Sequence, residues 1–204
     1  MSYEKYYDDG QLWKKGTKKD GEWDGLYEEY LPNGRLKLKG TVKDGERDGP
    51  WELYNEDGQL RTEETYRDGK LDGPSVVYTY YDNGQLSEKV TYRSSRKLLS
   101  VPLLDGERDG PWELYHENGQ LWEKVTYKDG ERDGLYEGYY NNGLLGSKVT
   151  YKNGKWDGPY ESYLEDGQLL SKGTYKDGEK CGEWLDFGET VTYDPCPPGP
   201  EDGN

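Results

Sequence analysis

The chain holds one histidine and two cysteines beside 42 carboxylates, so any chemistry it performs has few groups to draw on. His116 stands directly before the turn Glu117-Asn-Gly119, where equivalent positions hold Asn55 or Leu164. A general base needs an oriented partner, and the sequence nominates none, so His116 reads as a turn neighbour. Carboxylates suited to acid–base or metal chemistry abound, as in Asp44, Glu46 and Asp48. The same grouping recurs in every unit of the chain, which marks it as turn chemistry, and its spacing fits neither the calcium loop nor the nonapeptide β-roll. No Gly-rich phosphate loop, nucleophile elbow or metal-ligand cluster is found. The expectation is a non-enzyme without catalytic residue, cofactor or metal.

The cysteines, Cys181 and Cys196, both lie near the C-terminus. Cys181 occupies the slot that holds Asp24, Asp48, Asp72, Asp109, Asp133 and Asp157 elsewhere, so the last unit departs from the rest. The expectation is a Cys181–Cys196 disulfide that ties the Pro-rich tail over the last strand; closing such a loop is worth about 3 kcal/mol in the chain-entropy model. The alternatives are two free thiols in a cytosolic protein, or a metal pair with too few ligands for zinc. A bridge implies an oxidising compartment. No signal peptide or transmembrane run is visible, and Met1-Ser2 leads almost directly into the first repeat, which suits a mature exported product with an added start codon as well as a cytosolic protein. The even cysteine count and capped end tip the expectation toward a periplasmic or secreted location.

What must position these groups is a unit of 24 residues written seven times, ending at Gly25, Gly49, Gly73, Gly110, Gly134, Gly158 and Gly182. A fixed period signals a repeat architecture. Each unit carries Asn-Gly or Asp-Gly pairs, which supply the positive φ angles of tight hairpin turns. Between the turns fit two short strands, of the types Trp51-Glu-Leu-Tyr54 and Leu121-Trp-Glu-Lys-Val-Thr-Tyr127, and no helical period survives for three turns. Strict alternation puts Leu121, Val125 and Tyr127 on one face, as it does Leu145, Val149 and Tyr151, and sends Lys124 and Thr126 into water. One hairpin is marginal alone, so units stack edge to edge. The predicted fold is all-β, an elongated single-sheet meander of about seven stacked antiparallel hairpins over residues 1–182, with a C-terminal capping hairpin and Pro-rich tail over 183–204.

Composition fits a thin sheet. Only 30% of the residues are hydrophobic, 34% are charged and mean hydropathy is −1.25. The 21 tyrosines and 7 tryptophans supply burial while keeping polar tips. A net charge of −15 argues against nucleic acid, which calls for clustered Lys and Arg, and favours a basic partner or plain solubility of an exposed sheet.

The array is broken once. The strand Ser75–Tyr81 is two residues longer than its counterparts, and a basic and apolar loop, Arg93 to Leu104, is inserted near 93–105. Either Arg96, Lys97, Leu98, Leu99, Leu103 and Leu104 engage a protein partner together with Tyr78, Tyr80 and Tyr81, or the leucines fold back as extra core.

The pattern Tyr-Tyr-x-Asn-Gly-Gln-Leu followed by Lys-x-x-Tyr-Lys-Asp-Gly-x-x-Asp-Gly-Pro resembles the MORN repeat variant, the bacterial form of the membrane-occupation-and-recognition-nexus repeat, from Tyr3 to Gly182. The resemblance implies stacked hairpins and a binding role with no catalytic residue to carry over. Bacterial proteins of this type are commonly labelled antitoxins, and eukaryotic relatives are associated with membrane lipids or protein partners. The leading expectation is therefore a non-enzymatic protein-binding scaffold, as an antitoxin or immunity protein neutralising a basic toxin or effector. A structural or envelope-associated module without a tight partner comes next. Binding to a lipid surface is remote, because the acidic charge opposes anionic membranes.

Overall fold

A computed structural model describes residues 1–93 and 107–198. These hold eighteen strands: β1 (Ser2–Tyr6), β2 (Leu12–Lys19), β3 (Glu22–Tyr30), β4 (Leu36–Lys43), β5 (Glu46–Tyr54), β6 (Leu60–Arg67), β7 (Lys70–Leu71), β8 (Ser75–Tyr80), β9 (Leu86–Tyr92), β10 (Arg108–Tyr115), β11 (Leu121–Lys128), β12 (Glu131–Arg132), β13 (Gly134–Tyr139), β14 (Leu145–Lys152), β15 (Lys155–Tyr163), β16 (Leu169–Lys176), β17 (Glu179–Asp186) and β18 (Glu189–Thr192). All belong to one antiparallel sheet in which hairpin follows hairpin, and the described residues contain no helix. Among the described residues, one compact unit takes Met1–Thr79 with 90–93 and Glu107, and a second takes Tyr80–Lys89 with 108–198.

The turn chemistry explains the hairpins. Asp44 (φ 49°) and Gly45 (φ 82°) form a two-residue loop with both central angles positive, closed by the pair Lys43↔Glu46. That is the type I′ geometry whose twist matches the flanking strands. The second Asp-Gly pair lies inside a strand at Asp24-Gly25, Asp48-Gly49, Asp109-Gly110 and Asp157-Gly158 and does not turn the chain there. Asp48-Gly49 lies inside β5, where Gly40↔Trp51 is followed by Val42↔Arg47, so four residues of β5 span two of β4. The strand thus starts at Glu46, five residues before the Trp51 start expected from the sequence, because a bulge lets the ladder continue through the glycine.

A second bulge corrects the alternation. Leu114 pairs with Glu123 but Tyr115 with Leu121, which leaves Trp122 as the extra residue. The register therefore moves Leu121 to the face of Tyr115, Glu113 and Lys124, away from Val125 and Tyr127. Leu145 moves likewise, pairing with Tyr139 while Val149 pairs with Tyr136. Val125, Tyr127 and Val149 stay on the covered face and are buried.

In the first unit that face is built by Val42 and Trp51, with Tyr27 and Tyr66 against the indole at 5.9 and 6.4 Å. In the second unit, rings run from Tyr136 to Tyr151, Trp156, Tyr160, Trp184 and Tyr193, with successive centroids 5.6 to 6.3 Å apart. Such pairs add about 0.5–1.5 kcal/mol each beyond area burial, which is how one layer of sheet reaches burial as deep as the 1% exposure of Trp184.

Candidate binding surface

The face opposite the buried rings carries a repeated polar constellation. In each repeat of the form Tyr-Glu-x-Tyr or Trp-Glu-x-Tyr, the second tyrosine lies two residues after the glutamate, so the two side chains share a face. Tyr115 donates to Glu113 at 2.7 Å, Tyr139 to Glu137 at 3.0 Å and Tyr163 to Glu161 at 2.6 Å. Tyr6, Tyr30 and Tyr54 bond Glu4, Glu28 and Glu52 in the same way. From the adjacent strand a lysine completes the group: Lys15 to Glu28 and Lys39 to Glu52 at 2.9 Å, Lys124 to Glu137 at 2.5 Å and Lys148 to Glu161 at 2.7 Å.

These contacts set the electrostatics. Lys148, the Tyr163 hydroxyl and Lys172 together hold the Glu161 carboxyl down at about 2 against the cost of partial burial. Burial would raise Glu137, but Lys124 and the Tyr139 hydroxyl outweigh it and keep it low. Burial and the Glu113 carboxylate push the Tyr115 phenol up to about 12. Glu161 and Glu137 thus stay ionised and the Tyr115 phenol protonated through the physiological range. Within each compact unit the result is a series of rings and paired charges on one side of the sheet.

On the opposite face, arginines join the rings. Arg132 lies 5.4 Å from the Tyr151 ring centre and 5.8 Å from that of Tyr136, and donates to the hydroxyls of Tyr151 and Tyr127 at 3.1 and 3.4 Å. Arg47 takes the same slot over Trp51 and Tyr66. In the first unit Trp23, Tyr27, Glu29, Leu38, Val42, Arg47 and Trp51 line a shallow depression of about 230 Å³.

The residues singled out in the sequence are placed as follows. Cys181 and Cys196 are joined by a disulfide with Cα atoms 4.8 Å apart, and the tail returns to β17 through Gly182 N–H to Asp194 O and Tyr193 N–H to Gly182 O, both 2.9 Å. Tyr78 and Tyr80 lie two apart on β8, and Tyr81 follows the strand end. The Tyr78 hydroxyl is engaged by Glu63 at 2.6 Å and that of Tyr81 by the Tyr115 carbonyl at 2.7 Å. Tyr81 thus fills a regular slot, shared with Tyr7 and Tyr140, whose ring reaches the next repeat. Arg96, Lys97, Leu98, Leu99, Leu103 and Leu104 lie outside the described residues. His116 occupies the Tyr81 slot, with Nε2 3.3 Å from the Tyr139 carbonyl and its ring stacked on Trp122. Among the described residues no cluster of three or more His, Cys, Asp or Glu side chains is placed to hold a metal.

Sequence alone did not single out the glutamate–tyrosine row. Its signal is the spacing of two between Glu and Tyr on the strand before the turn, which recurs in every repeat but the fourth, where Tyr78 takes the place of the glutamate before Tyr80.

Comparison with known proteins agrees with this architecture. The family described as MORN repeat variant matches residues 23–44, 47–68, 76–94, 108–129, 132–153 and 156–177, six copies that take up more than half of the chain. A search of curated proteins gave no match. Hairpin repeats in register and six family matches together make the chain a member of the MORN repeat variant family, a repeat scaffold.

Proposed function

We propose that the chain is a non-enzymatic scaffold that binds a basic protein on its glutamate–tyrosine face, with neutralisation of a toxin or effector as the specific form of that role. The observation that carries the reading is the pinning of each tyrosine by the glutamate two residues before it. Tyrosine offers a large amphipathic contact area, and a ring already fixed loses little entropy on binding. Half-buried carboxylates beside the rings and a net charge of −15 favour a positively charged partner and speed the encounter. The repeat supplies the row, because one strand geometry recurs at every unit.

Affinity purification of the intact chain from its native host tests this. A basic protein retained by the wild type, eluted by salt and lost from a Tyr115→Ala, Tyr139→Ala, Tyr163→Ala variant with unchanged far-ultraviolet circular dichroism supports the reading. Retention that the triple variant leaves intact removes the face from consideration.

A further inference from the structure

The residues that close the Asp-Gly turns follow a charge rule. Lys43 faces Glu46, Lys128 faces Glu131 and Lys176 faces Glu179. Opposite charges across a strand pair stabilise it, and like charges directly opposite destabilise it. The β14–β15 hairpin breaks the rule, with Lys152 facing Lys155. Arg67 also faces Lys70, but there Arg67 is paired with Asp72 at 2.8 Å. Among the described residues neither Lys152 nor Lys155 comes within ion-pair distance of a carboxylate, although the Lys152 charge helps Lys176 hold the Asp157 carboxyl low.

Both lysines open onto a depression of about 400 Å³ that is also lined by Asn153, Asp157, Lys176 and Asp177. Lys176 neutralises Asp157 at 2.9 Å, leaving Asp177 as the one other carboxylate on the wall. The remaining wall is Pro197 and Pro198, carried in by the tail directly after Cys196 and so fixed by the disulfide to β17. A positive, partly apolar concavity of this size, on a chain of charge −15, lies within the range of about 300–1,000 Å³ typical of small-molecule sites.

We propose that this depression binds a small soluble dianion of the phosphate or sulfate type. Lys152 and Lys155 meet it as point charges, which offsets their mutual repulsion, and the two prolines close the outer wall of the depression. None of its lining residues belongs to the glutamate–tyrosine–lysine groups, although Lys152 stands on the same side of the sheet as Lys148.

The test uses the full oxidised chain, with inorganic phosphate and sulfate as probes and sodium chloride at matched ionic strength as control. Thermal melts and calorimetric titration are expected to give a saturable rise in melting temperature with phosphate or sulfate that chloride does not reproduce. Lys155→Glu, which restores the Lys–Glu pairing, is expected to fold as well as wild type or better and to lose the response. Cys196→Ser, which frees the proline wall, weakens affinity several-fold. The proposal is overturned by the lack of a saturable response, by an equal response in Lys155→Glu, or by an equal effect of chloride. Vesicles carrying phosphatidate distinguish the source: capture abolished by Lys155→Glu without any response to soluble phosphate overturns the assignment to a soluble ligand.

Discussion

Gly40 lies beneath the indole of Trp51, so close that a Cβ at position 40 would stand 2.3 Å from Trp51 Cδ2. The indole N–H donates to the Thr41 carbonyl at 3.0 Å, beside that glycine. Gly173 and Trp184 repeat the arrangement, with 2.1 Å from the added Cβ to Cδ2 and a bond to the Thr174 carbonyl at 3.2 Å. Where valine stands at the equivalent position, Val149 faces the smaller ring of Tyr160. At Gly40 and Gly173 the lack of a Cβ is therefore matched to the indole on the next strand, whereas Gly16 at the equivalent position faces the smaller ring of Tyr27.

Gly40→Val is expected to destabilise the first unit by roughly 1–3 kcal/mol through overpacking against Trp51. Adding Trp51→Tyr recovers part of the loss, because it recreates the Val149–Tyr160 combination. Urea denaturation of the two single variants and the double variant gives the coupling; strictly additive effects would show that the two positions are not matched.

Acid weakens the fold through Glu161. Its folded carboxyl is held at about 2, whereas in the unfolded chain it takes up a proton near the ordinary value of 4.5. A depressed folded value contributes stability that is complete above about 4.5 and is lost as pH falls from there toward 2. Urea midpoints measured between pH 6 and pH 2 should fall less steeply for Glu161→Gln than for wild type.

Reduction of the Cys181–Cys196 bond is expected to cost about 3 kcal/mol, the chain-entropy value for a loop of this length. It also frees the tail that brings Tyr193 within 6.2 Å of Trp184. A lower denaturation midpoint with dithiothreitol, and none in a Cys181→Ser, Cys196→Ser variant, is the expected pattern.

Arg132→Lys keeps the charge but loses the planar fork that reaches the hydroxyls of Tyr127 and Tyr151. A loss on the order of 1 kcal/mol is expected, since a lysine ammonium makes neither the paired donation nor the stacked contact. Chemical denaturation with intact circular dichroism measures it.

Much of this architecture is legible in the residues themselves. Asp44-Gly45 announces a type I′ turn by its chemistry, and the period of 24 announces the stacking. Asp48-Gly49 uses the same letters as a turn yet sits in a strand as a bulge, since a glycine of positive φ serves either purpose and only the paired strand decides. The bulge beside Tyr115 escapes alternation for a related reason: one extra residue inverts the faces, and Trp122 carries no mark of being extra. The glutamate–tyrosine row was readable from its spacing but looked like ordinary strand composition. The lysine-lined depression was not readable, because it depends on a tail brought back by the disulfide.

The central claim, that a repeat scaffold presents its pinned tyrosines and carboxylates to a basic protein, is tested most directly by titrating the partner recovered from the native host against wild type and a Glu113→Gln, Glu137→Gln, Glu161→Gln variant at two salt concentrations. Glutamine still accepts the tyrosine hydroxyl bond but removes the charge. Binding is expected to weaken with salt in the wild type, and in the variant to be weaker with a shallower salt dependence. Equal affinity and equal salt dependence for both proteins would contradict it.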